Sequence, residues 1–170
     1  MTIILTAEAT FTRPNDTTAY AAGDQVNNNT TAASVVPMSW TDACPFDGGI
    51  VPPFRFIGAR IRKTGTGTTN PSFRLHLYSA IPTIATNGDN SPFTNVTGRT
   101  NWLAALSATH VVAHADGCVI HAVPTENGAY PIWQMGAQTA RFTVYGMLEA
   151  AAAYTPAAQE VFGVRLLIEV

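Results

Sequence analysis

Apolar and polar residues alternate with a two-residue period along much of the chain, the signature of half-buried β-strands. The closing stretch shows it best. Between Glu160 and Val170, the residues Phe162, Val164, Leu166, Ile168 and Val170 occupy every second position, so an extended backbone points them all to one face. Val161, Gly163, Arg165, Leu167 and Glu169 fall on the other. Each large apolar side chain contributes roughly 1.5–3 kcal/mol on burial, and this spacing predicts a central strand. Arg141–Glu149 alternates as well, with Phe142, Val144 and Leu148 against Thr143, Tyr145 and Met147. The segment between, Ala150–Gln159, carries Thr155-Pro156 and reads as a surface loop. An antiparallel pair joined through that loop is expected.

Upstream, Thr2–Phe11 reads as one strand with Ile3, Leu5, Ala7, Ala9 and Phe11 on one side. Turn chemistry follows at Pro14-Asn15-Asp16 and Gly23-Asp24. Ser34–Met38 reads as a short strand, Asp42–Pro53 as loop, and Phe54–Lys63 and Phe73–Tyr78 as a hairpin turning at Gly65 and Gly67. A long polar connection spans residues 82–99, a length that usually carries function. Trp102–Leu106 reads as a short helix capped by Thr100 or Asn101, and strands return near His110–Val112, Cys118–Val123 and Tyr130–Gln134. Short strands punctuated by Gly, Pro, Asn and Asp predict an all-β, antiparallel sandwich or jelly roll with at most one short helix. One domain over residues 1–170 is expected, with an N-terminal arm at about 1–11.

Composition changes the picture in one respect. Charged residues make up 12% of the chain, about half the usual share, and Lys63 is the single lysine. So lightly charged a surface favours packing against other copies or other proteins. A net charge of −2 supplies no basic stripe, so direct nucleic-acid binding is not expected. The opening MTIILTAEATF lacks the pattern of a signal peptide, and no apolar stretch is long enough to span a bilayer. Asn15, Asn28, Asn29 and Asn95 are sequons that carry meaning only on a secreted chain.

Candidate chemistry is sparse. His110, His114, Cys118 and His121 suggest a zinc site, but on a strand His110 and His114 stand about 13 Å apart, and no metal is expected. Cys44 and Cys118 are either bridged or two buried thiols. GTGTTN, residues 65–70, lacks both phosphate-loop patterns, and NGDNS, residues 87–91, lacks the EF-hand pattern. The acidic residues are scattered, so no carboxylate pair emerges and neither catalytic residue nor cofactor is expected. Trp40, Trp102 and Trp133, if exposed, offer a sugar-stacking surface.

Three stretches carry a resemblance. FTRPNDTTAYAAGDQV (Phe11–Val26), FRLHLYSAIPT with NGDNSPFTN (within 73–95), and FTVYGMLEAAAAYTPAAQEVFGVRLLIEV (Phe142–Val170) resemble a family of small virion structural proteins of tailed bacteriophages. The resemblance implies a non-enzymatic capsid decoration or cement protein on the virion surface, assembled in the host cytoplasm. It implies the major capsid protein as partner and a homo-oligomeric state. A tail, baseplate or fibre module binding a receptor or glycan is the alternative. The contact elements expected under this reading are the arm, the turn Arg13–Tyr20 and the loop Thr86–Arg99. Arg13, Tyr20, Phe93 and Arg99 are the candidate interface residues, because arginine and aromatic side chains are enriched where proteins meet.

Overall fold

The computed structural model describes residues 2–41, 54–65, 72–125 and 143–169. The strands in order are β1 (Ile3–Leu5), β2 (Ala9–Thr12), β3 (Gln25–Val26), β4 (Met38–Thr41), β5 (Arg55–Thr64), β6 (Phe73–Tyr78), β7 (Thr83–Ile84), β8 (Val96–Thr97), β9 (Trp102–His114), β10 (Gly117–Pro124), β11 (Thr143–Ala150) and β12 (Val161–Glu169). Single turns of 3-10 helix lie at Ala32–Ser34, Phe93–Asn95 and Arg99–Asn101. All pairings are antiparallel. One ten-stranded sheet runs β1-β12-β5-β10-β9-β6-β11-β3, with β2 also on β12 and β4 also on β11, and β7-β8 form a separate pair.

That sheet folds back on itself into a sandwich-like, all-β architecture. Its β12 end faces its β6–β11 end across the core. The Trp40 indole N–H on β4 donates to the Val164 carbonyl on β12 at 3.1 Å. Phe73 on β6 meets Phe162 on β12 edge to face, with centroids 5.3 Å apart. Phe162, Val164, Leu166 and Ile168 are fully buried, as the alternation predicts, while Leu75, Leu77, Leu106, Val144 and Leu148 answer them from the facing layer. With β5 on one side and β1 and β2 on the other, β12 is an interior strand. Val170 lies outside the described residues.

Five expectations need correction. First, β11 and β12 are not neighbours: β11 pairs with β6, β3 and β4, and β12 with β5, β1 and β2. The loop between them crosses from one layer to the other, fastened by a bridge between Tyr20 and Tyr154. Second, β5 and β6 do not form a hairpin, because β10 and β9 stand between them. The Gly65 amide donates instead to Asp116 at the β9–β10 turn, at 3.1 Å. Third, Trp102–Leu106 is the start of β9, not a helix. Leu103, Ala104, Ala105 and Leu106 are all buried, and a short apolar run buried on both faces has no period to tell strand from helix.

Fourth, Thr2–Phe11 is two strands. At the break the Thr6 hydroxyl accepts the Leu166 amide at 2.9 Å, replacing a ladder bond. Ile3 and Leu5 do not face the core: they are 58% and 48% exposed on β1, an edge of the sheet. Fifth, between Ala32 and Met38 the chain makes a 3-10 turn before β4, where a strand over Ser34–Met38 is expected. The expected loop Asp42–Pro53 and strand Tyr130–Gln134 lie outside the described residues.

Candidate functional site

The turn Arg13–Tyr20 and the loop Thr86–Arg99, the two expected contact elements, meet each other inside the molecule. Between Asn87 and Asn90 the loop dips inward. Both asparagines adopt left-handed backbone, φ 48° and 57°, which their short polar side chains tolerate. Gly88 lies so close to the Asn29 carbonyl that a Cβ would stand 2.0 Å from its oxygen. This close approach lets the Asp89 amide donate to Asn29 at 2.6 Å and turns the Asp89 carboxylate into the protein.

There it meets Arg13. Both side chains are completely inaccessible, and the Arg13 Nη2 donates to Asp89 Oδ2 at 2.9 Å. The Arg13 Nε–H donates to the Tyr20 hydroxyl, which donates in turn to Asp89 Oδ1 at 2.6 Å and closes a ring. The backbone amide of Asn27 adds a further donor to Oδ1 at 2.7 Å. The remaining guanidinium donors reach the Asp16 carbonyl and carboxylate and the Ala157 carbonyl at 3.3–3.5 Å. A guanidinium offers five N–H donors, and here each has an acceptor on the same chain. Burial pushes the Asp89 carboxyl above its ordinary value, opposed by the Asn27 amide, the Tyr20 hydroxyl and Arg13. Arg13 itself loses by desolvation but is held charged by Tyr20 and Asp89, its net shift being upward.

A second buried ion pair adjoins the first. Lys63 Nζ on β5 donates to Glu160 Oε1 at 2.6 Å, again with both side chains inaccessible. The Tyr154 hydroxyl donates to Glu160 Oε2 at 3.2 Å, and the Ala157 amide to Oε1 at 3.0 Å. The Tyr20 and Tyr154 rings stack at 5.0 Å between the two pairs, and Phe73 closes on Tyr154 edge-on. Gln25, Asn27 and Ser91 extend the network: Asn27 donates to Gln25, Gln25 to Ser91 Oγ, and Ser91 to the Gly88 carbonyl. Charges buried at this depth persist only when paired and hydrogen-bonded, and these are. Arg13 and Tyr20 therefore present no surface to another chain. They fasten the turn, the loop and the β11–β12 crossover to one another.

The other two candidates lie outward. Arg99 is exposed on its 3-10 turn. Phe93 is half-buried and stacks on His76 at 4.1 Å. His76 Nε2–H donates to Glu149 Oε2 at 2.7 Å while its Nδ1 accepts the Trp102 indole N–H at 3.3 Å. Arg74 Nη1 donates to both Glu149 oxygens at 3.1 Å. The His76 hydrogen bond, joined by Arg74, holds the Glu149 carboxyl below its usual range against the opposing effect of burial.

The remaining candidates are scattered. Cys118 is buried with a free thiol, while His121, an odd number of positions along the same strand, faces outward beside His110 at 6.5 Å. The histidine–cysteine set is thus divided between two faces of the sheet, and no group of ligands fit for a metal occurs among the described residues. Trp40 is in the core and offers no sugar-stacking surface, while the half-buried Trp102 donates its indole N–H to His76. Cys44 and Trp133 lie outside the described residues. No helix of the described residues is long and apolar enough to cross a membrane.

Sequence reasoning passed over Asp89, Lys63 and Glu160. One signal for Lys63 is present: it shares the inward parity of Ala59 and Ile61 on β5, an anomalous place for a lysine. For Asp89 the signal is the Asn-Gly-Asp-Asn run, which specifies a tight inward turn. No protein-family model matches the chain, and neither curated proteins nor solved structures give a significant match.

Proposed function

We propose that this chain is a structural component of a tailed-bacteriophage virion, a decoration or cement protein that binds and stabilises the capsid shell without catalysis. The observation that carries the reading is a convergence. The three stretches that resemble the virion family are distant in sequence, yet Arg13 and Tyr20 of the first, Asp89 of the second and Tyr154 and Glu160 of the third form one buried network. The resembling residues are those that brace the fold, as expected of a protein whose work is to hold a shape. The arm supports the same reading, because Ile3 and Leu5 are exposed on an edge strand suited to pairing with another chain.

In this mechanism each copy buries a standard-size patch, about 1,200–2,000 Å² in total, against the major capsid protein and neighbouring copies. Repetition over the lattice multiplies weak contacts into tight retention. The test is sedimentation of the purified chain with shells that lack it, followed by heating. Saturable binding at fixed copy number and a higher shell disruption temperature are the expected results. Absence of binding to shells, or labelling confined to the tail tip, would contradict the reading.

A further inference from the structure

The outer face of the β12-β5-β10-β9 region carries a row of nitrogenous side chains. The register sets Arg165 opposite Arg60, Arg60 opposite His121, and His121 opposite His110. Directly opposed residues share a face, so the row crosses four strands over about 14 Å at the usual strand spacing. Arg62 stands on the same face, opposite Gly163. Glu8 reaches over from beside β2 and accepts Arg62 Nε at 2.6 Å and Arg165 Nε at 3.4 Å. It is the one acid among Glu8, Arg60, Arg62, Gly163 and Arg165, which line a cleft of about 240 Å³.

Two features show that the donors here exceed what the chain itself uses. Arg60 and Arg165 are like charges on adjacent strands, an arrangement that costs stability unless an anion lies between them. The Arg60 side chain is exposed and has no hydrogen bond or ion pair with any described residue. Gly163 keeps the cleft open: a Cβ there would stand 2.3 Å from Glu8 Oε1 and 2.8 Å from Arg62 Nε. Glu8 already shows which group accepts from these donors, a carboxylate.

We propose that this face docks a carboxylate-rich segment of a partner protein, an Asp or Glu side chain entering between Arg60 and Arg165 beside Glu8. The assignment deepens the shell-binding reading, and rests on it for the partner's being another virion protein. Three arginines against one glutamate leave a surplus of two positive charges in the cleft. That surplus suits a few carboxylates and falls short of the long phosphate track that nucleic acid requires.

The probe is a fluorescein-labelled hexaglutamate peptide titrated with the purified full-length chain at low salt and read by anisotropy. Saturable binding that weakens with added salt is expected. Arg60→Gln should weaken it at least fivefold with an unchanged or slightly higher melting temperature. Glu8→Gln should tighten it at least twofold, because it removes the internal competitor. No binding at millimolar peptide, indifference to Arg60→Gln, or tighter binding of a labelled single-stranded DNA would each overturn the assignment. A chain that sediments with shells but ignores hexaglutamate defeats the arginine face alone. One that binds hexaglutamate through Arg60 but never shells supports the face and defeats the virion reading.

Discussion

Arg13 and Arg60 are chemically identical and do opposite things. Arg13 is inaccessible, and each of its donors is taken by an acceptor on its own chain. Arg60 is exposed, opposite another arginine, and has no acceptor among the described residues. A charge whose hydrogen bonds are all used internally is part of the scaffold, and a charge left with open donors is available to a partner. The network region and the outer face of β5 and β12 therefore divide the protein into a part whose charges are satisfied internally and a part whose donors are left open.

The sharpest way to break that division is at Asp89. Asp89→Ala strands a buried guanidinium, and loss of one partner of a buried pair costs about 3–5 kcal/mol. Against a whole stability of about 5–15 kcal/mol, urea denaturation should show a large drop in midpoint or an unfolded chain. A midpoint within experimental error of wild type would show that the network is not structural. Phe73→Ala, which removes the ring between Phe162 and Tyr154, should cost a similar 3–5 kcal/mol and gives a purely apolar reference.

Next comes Tyr20→Phe. It keeps the stack on Tyr154 but deletes the hydroxyl that links Arg13 to Asp89. An unsatisfied buried polar group costs about 1–3 kcal/mol, and denaturation should place this variant between Asp89→Ala and wild type.

Two carboxyls, Glu149 and the buried Asp89, should also answer acid differently. Glu149 titrates below its ordinary value in the folded chain, chiefly through the His76 hydrogen bond. Its stabilisation is complete above the ordinary value of 4.5 and is lost as pH falls through the lower folded value. Asp89 is shifted the other way by burial, so its linkage favours the fold at low pH and weakens as pH rises through the carboxylate range. In stability measured from pH 6 to pH 3, Glu149→Gln should flatten part of the acid slope. A slope unchanged by that substitution would contradict the role of the Glu149 cluster.

The smallest effect belongs to Arg60→Gln. Removing one of two opposed like charges should leave stability unchanged or raise it by at most about 1 kcal/mol. A loss of several kcal/mol would mean that Arg60 is scaffold after all.

Parts of the fold were legible in the sequence, but this division was not. The inward residues of β12 and β6 follow from alternation alone, since one buried face fixes their parity. Strand neighbours did not follow, because pairing depends on where a connection crosses, and the β11–β12 crossover is set by Tyr154, Ala157 and Glu160 meeting residues far upstream. Arg13 and Tyr20 were expected at an interface because those residue types are common at interfaces and interior networks alike. Only Asp89, 76 positions away from Arg13, decides between the two. Helix and strand were indistinguishable at Trp102–Leu106 because both faces are buried there.

The most direct measurement is native-state hydrogen exchange at the Tyr20 and Asn27 amides, which donate to the Tyr154 carbonyl and the Asp89 carboxylate, with the Val164 amide in β12 as the core reference. If the buried charges bind the turn, the loop and the crossover into one cooperative unit, all three amides exchange only through global unfolding and share its free energy. Exchange of Tyr20 and Asn27 orders of magnitude faster than Val164 would show that the network opens on its own, and that these segments are not the brace of the fold.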